Sequence, residues 1–258
     1  MSDDMIIRDV MSKPITIAKS AFITEALDKM LDEGVDPLIV TQNGDAIGMI
    51  SRKSIARKLG RKQASNISAS SIHVANSLEH DFTSAYLDQN IDVLIPLLQV
   101  YKMVAVLDEE HRLVGQVTAG DLLRVVEPVG SVQDVLTPAC TIQSDERVVH
   151  LRRRMLDDDI DKFVVVDGGE IIGIVTETDV ANAMRAFKEV VEEKYQDHRI
   201  RNLIVRDIMS TPILTADVEV GISPIVELML SKNISTLPVT DHGKLIGMVT
   251  RESLIKAL

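Results

Sequence analysis

The stretch that decides the fold is Ile171-Ile172-Gly173-Ile174-Val175-Thr176-Glu177-Thr178-Asp179: an apolar pair, a glycine, two more residues, a hydroxyl residue, and an acid three positions on. The phrase recurs as Ala46-Ile47-Gly48-Met49-Ile50-Ser51 with Ser54, as Leu113-Val114-Gly115-Gln116-Val117-Thr118 with Asp121, and as Leu245-Ile246-Gly247-Met248-Val249-Thr250 with Ser253. Gly48, Gly115, Gly173 and Gly247 stand 67, 58 and 74 residues apart. A period this long marks a small folding unit written four times, not a solenoid turn. Only two of the four copies carry the acid.

Working outward, each phrase has an upstream opening. Ile7-Arg8-Asp9-Val10-Met11-Ser12-Lys13-Pro14 returns as Val205-Arg206-Asp207-Ile208-Met209-Ser210-Thr211-Pro212 and, shortened, as Val132-Gln133-Asp134-Val135-Leu136-Thr137-Pro138. The second copy, from about residue 74 to 87, diverges most. Apolar residues three and four apart follow, at Ala26, Leu27, Met30 and Leu31, at Leu151 and Met155, and at Ile225, Leu228 and Met229. That spacing is the core-facing stripe of a helix. Next come the apolar runs Leu38-Ile39-Val40, Met103-Val104-Ala105-Val106, Phe163-Val164-Val165-Val166 and Leu237-Pro238-Val239. Each is joined to its phrase by a turn: Asn43-Gly44-Asp45, Asp108-Glu109-Glu110, Gly168-Gly169 or Asp241-His242-Gly243. Two such runs around a short Gly- or Asp-rich loop form a β-hairpin. A final amphipathic stretch, such as residues 121–126, closes the copy.

The unit is therefore an α+β repeat ordered strand, helix, strand, strand, helix. One face of its sheet carries two helices, so the other face needs a partner and the copies are expected to pair. The expected boundaries are residues 1–62, 74–126, 130–188 and 203–258, with the first two copies pairing within 1–126 and the last two within 127–258. Between them lie a Ser-rich connector at 64–71, the Pro- and Gly-marked Glu127-Pro128-Val129-Gly130, and a charged segment at 183–201. That last segment has neither Gly nor Pro and reads as a prolonged helix.

Composition bounds the function. With 258 residues, 45% hydrophobic and 26% charged, the chain has the make-up of a soluble globular protein. No apolar stretch approaches the roughly 20 residues of a membrane-spanning helix. The acidic start, Met-Ser-Asp-Asp, lacks the basic and apolar run of a signal peptide. Cys140 stands alone, without a disulfide framework or a paired-thiol metal site. A cytoplasmic setting is expected. Net charge of −11, 3% aromatic residues and no Trp argue against nucleic acid. The basic run Arg52, Lys53, Arg57, Lys58, Arg61 and Lys62 reads as a solvated helix whose cations complement its dipole, with a phosphate or partner contact as the alternative. Six scattered histidines, no Gly-Lys-Ser/Thr phosphate loop and no Gly-x-Ser-x-Gly elbow argue against an enzyme.

Each copy resembles a cystathionine-β-synthase (CBS) domain, whose hallmark ends in Gly-apolar-apolar-Thr-x-x-Asp before the closing helix. The resemblance covers nearly the whole chain and repeats in order with its openings. It implies tandem CBS domains packed into pseudo-twofold Bateman modules, each with up to two clefts for adenosine-containing ligands. Four domains imply two modules in a flat disc, as in archaeal four-domain proteins and the gamma subunit of AMP-activated protein kinase. With no catalytic segment attached, the implied protein is a regulatory subunit that binds AMP, ADP or ATP and signals to a protein partner. The resemblance leaves open a homodimer formed by disc stacking. The alternatives are a ligand-free scaffold or dimerisation module, and a binder of S-adenosylmethionine-type ligands.

Within that resemblance the phrase takes two readings. An ionised Asp is acceptor-only and can take both vicinal hydroxyls of a ribose, while the preceding hydroxyl and the helix N–H groups hold a phosphate or ribose oxygen. Thr-x-x-Asp is also a helix capping box, worth about 1 kcal/mol and needing no ligand. Ser51, Thr118, Thr176 and Thr250 keep the hydroxyl in all copies, whereas the acid survives only at Asp121 and Asp179. The division assigns Thr118 and Thr176 to the cap and Asp121 and Asp179 to ribose. Lys102 and Lys162 precede the hairpins of the same two copies. The kinase resemblance makes them phosphate contacts; the competing reading is protection of a strand edge. The adenine side is implied to come from the sister copy: Ser12 with Val35 and Asp36 for Asp121, and Ser210 with Ile234 and Ser235 for Asp179. Thr178 completes the fuller family form and makes the Asp179 cleft the better site, while Gly120 leaves the Asp121 cleft one hydroxyl poorer. Arg152-Arg153-Arg154 is followed by Asp157, Asp158 and Asp159, so local salt bridges are expected. Arg152 stands where Leu27 and Val226 are apolar.

Overall fold

The computed structural model describes residues 5–60, 69–190 and 202–258. Arg61, Lys62, most of the Ser-rich connector and the charged segment beyond residue 190 lie outside the described residues. The first copy runs α1 (Ile7–Val10), β1 (Thr16–Ala18), α2 (Ile23–Asp32), β2 (Leu38–Gln42), β3 (Asp45–Ile50) and α3 (Arg52–Gly60). The second opens with short 3-10 turns and continues with β4 (Thr83–Tyr86), α4 (Leu94–Leu98), β5 (Met103–Leu107), β6 (Leu113–Thr118) and α5 (Ala119–Leu122). The third is α6 (Val132–Val135), β7 (Thr141–Gln143), α7 (Val148–Asp157), β8 (Lys162–Asp167), β9 (Glu170–Thr176) and α8 (Glu177–Val190). The fourth is α9 (Val205–Ile208), β10 (Ala216–Asp217), α10 (Ile222–Ser231), β11 (Thr236–Asp241), β12 (Lys244–Thr250) and α11 (Arg251–Leu254).

Each copy forms its own three-stranded sheet, in the order first, second, third strand. The first strand runs parallel to the second in every copy. The helix between them is the crossover that such a parallel pair requires. The expected hairpins are present, with β2, β5 and β8 antiparallel to β3, β6 and β9. One expectation changes in the second copy, whose closing helix stops at Leu122 and continues only as turns. Gly120, the β-branched Val125 and Val126, and Pro128 all weaken a helix there.

The described chain divides into two compact units. One comprises Met1–Thr137, Val218–Leu237 and Met248–Leu258; the other comprises Pro138–Asp217 and Pro238–Gly247. In the first unit, β2 shows why the apolar runs are continuous. Leu38 and Val40 join Ile17, Ile23, Ala26, Met30, Ile50 and Ile55 in the core of their own copy. Ile39 and Met49 cluster instead with Met103 and Ala105 of the second copy. Both faces of the strand are buried, and each such side chain contributes about 1.5–3 kcal/mol. In the second unit, Ile142, Val148, Leu151, Met155, Phe163, Val165, Val175 and Val180 form one core, which Val205 from the opening of the fourth copy completes.

Paired copies exchange their openings. Ser12 of the first bridges Gln116 in the phrase of the second, and Glu79 of the second bridges Met49 in the phrase of the first. Thr137 and Met248, and Ser210 and Ile174, do the same for the third and fourth. This explains the glycine. A Cβ on Gly115 would stand 2.5 Å from Met11 Sδ, and one on Gly173 would stand 2.8 Å from Met209 Sδ and 3.0 Å from the Ser210 carbonyl oxygen. On Gly48 it would meet Leu78 Cδ1 at 2.7 Å and the Glu79 carbonyl oxygen at 2.5 Å. In these three copies the phrase is glycine because the sister copy's opening lies against it. In the first, third and fourth copies the acid of the opening caps its own short helix: the N–H groups of Ile6, Ser131 and Ile204 donate to Asp9, Asp134 and Asp207.

Candidate functional site

The second unit holds the Asp179 site. Strand β9 ends at Thr176 and α8 begins at Glu177, so the phrase's hydroxyl and acid fall on the first turn of a 14-residue helix. The Thr176 N–H and Oγ1 both donate to Asp179 Oδ2, at 2.7 and 2.6 Å. The Asp179 N–H returns to Thr176 Oγ1 at 3.3 Å, closing the capping box. The second carboxylate oxygen does something else: Oδ1 accepts from Ser210 Oγ at 2.7 Å. Ser210 belongs to the opening of the fourth copy and is pinned by reciprocal backbone bonds to Ile174. The resemblance implies Ser210 for the adenine side of this cleft; in the structure its hydroxyl lies on the Asp179 carboxylate itself. Thr178 is half-buried on the same helical turn. Lys162 is buried at the start of β8, with Nζ 3.4 Å from Asp161 Oδ2. Ile234 and Ser235 lie in the first unit, where the Ser235 carbonyl accepts from the Arg251 N–H at 3.1 Å.

The first unit holds the Asp121 site, buried to 9% exposure. Thr118 N–H and Oγ1 donate to Asp121 Oδ2 at 2.9 and 2.7 Å, the same cap as at Asp179. Here Oδ1 accepts from Arg124 Nη1 at 2.8 Å, one helical turn along the same segment. Ser12 is held differently from Ser210, its hydroxyl donating to the Gln116 carbonyl at 3.3 Å. Lys102 is exposed ahead of β5.

Serine copies keep the cap without the acid. The Ser51 N–H donates to Ser54 Oγ at 3.1 Å, and the Thr250 N–H donates to Ser253 Oγ at 3.0 Å. Capping needs only one acceptor; the carboxylate adds a second oxygen and a charge. That addition is what distinguishes Asp121 and Asp179 from Ser54 and Ser253.

Three residues beside the phrases escaped the sequence reading. Arg124 follows Asp121 by three positions, a local ion-pair spacing visible in the sequence. Arg251 is the residue after Thr250, and Arg52 occupies the same place after Ser51. The Arg251 guanidinium donates to the Met229 carbonyl and to Asn233 Oδ1, and its Nη1 stands 2.9 Å from where a Cβ on Gly120 would be. Burial and the neighbouring Arg124 push its pKa down, against Glu252 and Asp121. Glu79 is the third, accepting from Ser51 Oγ at 2.8 Å. Of the arginine run, Arg153 and Arg154 pair with Asp157 and Asp158 as expected. Arg152 is half-buried, and burial lowers its pKa. Among the described residues, no helix is long and apolar enough to cross a membrane, and no group of three or more His, Cys, Asp or Glu could hold a metal ion.

Four α+β copies, paired through exchanged openings and closed by hydroxyl-capped helices, define a paired-repeat protein. Residues 7–61, 75–128, 132–186 and 205–258 each match the CBS domain model, so the chain belongs to the CBS domain family. A relative in Methanopyrus kandleri, MK0525, is 36% identical over 132 residues, 50% of this chain and 61% of that protein. MJ1225 of Methanocaldococcus jannaschii is 21% identical over 95% of both chains. Its crystal structure, proposed there to be an archaeal homologue of g-AMPK, superposes with a TM-score of 0.83 over 98% of this chain and 99% of that one, at 20% identity. A conserved protein from Pyrococcus horikoshii superposes at 0.65 over 98% of this chain and 99% of its own, again at 20% identity. The likeness at these identities shows the fold. The chain spans 61% of the length of MK0525 and of a further relative, MJ1404 of Methanocaldococcus jannaschii.

Proposed function

We propose that the protein is a non-catalytic, cytoplasmic sensor that binds an adenosine-containing ligand, AMP, ADP or ATP, in clefts between paired CBS domains and signals to a protein partner. The observation that carries this reading is the second oxygen of Asp179. It is surplus to the helix cap, charged, and turned to the opening of the sister copy through Ser210 Oγ. A ribose diol is the chemical complement of such an acceptor, and charge-assisted hydrogen bonds to it are the strong kind. A diol that takes Oδ1 displaces the Ser210 hydroxyl. The opening of the fourth copy then docks differently on the third, which is how occupancy would shift the populations a partner distinguishes.

A second reading, the ligand-free scaffold, is favoured by one observation: Oδ1 of each acid already has a donor, Arg124 at Asp121 and Ser210 at Asp179. Mass spectrometry of small molecules released on denaturing the freshly purified protein, with thermal-shift titrations of AMP, ADP, ATP and S-adenosylmethionine, separates the two. An adenosine compound released, or a rise in melting temperature with a nucleotide, supports the sensor. Flat melting curves with all four compounds and nothing released leave the scaffold.

A further inference from the structure

The first copy has no acid in its phrase, since Ser54 stands where Asp121 and Asp179 do. From the geometry we infer that its cleft is a third ribonucleoside site, with the carboxylate transposed to Glu79 of the sister copy. Glu79 occupies the opening position that Ser12, Thr137 and Ser210 hold elsewhere, as the matching bridges show. Its backbone is fixed on both sides, with the Glu79 N–H donating to the Met49 carbonyl and the Met49 N–H donating to the Glu79 carbonyl, each at 2.8 Å. Its side chain reaches the phrase, where Ser51 Oγ donates to Oε2 at 2.8 Å.

The pair is the Asp179 arrangement with its partners exchanged. In the second unit a sister hydroxyl meets the acid of the phrase at 2.7 Å; in the first copy a sister acid meets the hydroxyl of the phrase at 2.8 Å. Glu79 takes no part in the cap, which Ser54 completes alone: the Ser51 N–H donates to Ser54 Oγ and the Ser54 N–H to Ser51 Oγ, each at 3.1 Å. Oε1 of Glu79 has no hydrogen bond among the described residues, so an acceptor remains beside the one Ser51 holds. The next residue, Arg52, is anchored to Asp36: its N–H donates to Oδ1 at 3.1 Å and its Nε lies 3.5 Å from Oδ2. That Nε is buried within the ion pair, so Arg52 and Asp36 hold the start of α3 beside Ser51. The fourth copy supplies the contrast, with Thr137 at the opening and Ser253 in the phrase and no carboxylate at either position. Three of the four pairings of phrase and opening therefore carry an acid.

This inference rests on the sensor reading, and the test keeps the two apart. AMP is titrated into the full chain and its stoichiometry counted by native mass spectrometry and calorimetry. Variants are Glu79→Gln, Glu79→Ser (the residue at positions 12 and 210), Asp121→Ser and Asp179→Ser. The expected wild-type count is three, and either Glu79 variant weakens one event by about tenfold or more and leaves the other two unchanged. Glu79→Ser keeps a side chain that the opening accommodates elsewhere, so it gives a folded comparison if Glu79→Gln does not. Unchanged AMP binding in both Glu79 variants, with or without a lower melting temperature of the ligand-free protein, makes Glu79 a strut and overturns the inference. If the Asp variants each lose an event while the Glu79 variants do not, the sensor reading stands without the third site. No AMP bound by the wild type overturns both.

Discussion

At positions 121 and 179 one carboxylate oxygen accepts from the residue three before it, and the other accepts from a different donor. This predicts that Asp179→Ser and Asp179→Ala differ. Serine closes the same cap at positions 54 and 253, so Asp179→Ser leaves unfolding within about 0.5 kcal/mol of wild type, whereas Asp179→Ala loses about 1 kcal/mol in urea denaturation. Both lose AMP binding at that cleft, and retained binding in either contradicts the assignment. Arg124→Ala frees Asp121 Oδ1 from an exposed partner, so AMP affinity at that cleft rises by up to about fivefold in calorimetry. A fall would make Arg124 a ligand contact instead. The cap and its acid were legible because three residues separate them and local chemistry is written locally. Arg124 obeys the same spacing and could have been read. Glu79 could not, because 28 residues separate it from Ser51 and only the exchange of openings brings them together.

At the scale of elements, the phrase glycines Gly48, Gly115 and Gly173 are contact positions for the sister's opening. On Gly48 a Cβ would meet the backbone oxygen of Glu79, whereas on Gly115 the nearest atom is the thioether of Met11, the end of a flexible side chain. Gly48→Ala is therefore the more destabilising, by about 1–3 kcal/mol, while Gly115→Ala costs less and is partly rescued by Met11→Ala. A double-mutant cycle in urea checks this, and additive losses at positions 11 and 115 would contradict it. The cap of the third copy's opening carries a pH signature. The backbone N–H and then the hydroxyl of Ser131 hold the Asp134 carboxyl below its ordinary range. A depressed carboxylate pKa stabilises the folded state above the unfolded value, and that contribution is lost as pH falls through the folded value. An NMR titration of the Asp134 carboxyl carbon should show a midpoint below that of an unstructured Asp. Hairpins and helices were legible from alternating period and turn residues. The early stop of α5 was not, because the amphipathic period continues beyond Leu122 while Gly120, Val125, Val126 and Pro128 disfavour the helix.

At the scale of the whole molecule, four copies of one phrase announced both the repeat and its pairing, because a sheet with helices on one face has to bury the other. The apolar residues on both faces of β2 carry that requirement in the sequence, and Ile39 with Met49 against Met103 and Ala105 meets it. What repetition could not show was the exchange of openings, since which segment lies against which glycine depends on contacts far apart in the chain. That exchange sets Asp179 beside the opening of its sister, where its second carboxylate oxygen accepts from Ser210. The most direct test is AMP binding to the Asp121→Ser, Asp179→Ser double variant, measured by calorimetry on the full chain beside its melting temperature. The predicted result is two binding events fewer than wild type at a ligand-free melting temperature within about 2–4 °C. An unchanged number of events in a folded double variant would contradict the claim that these carboxylates hold the ligand.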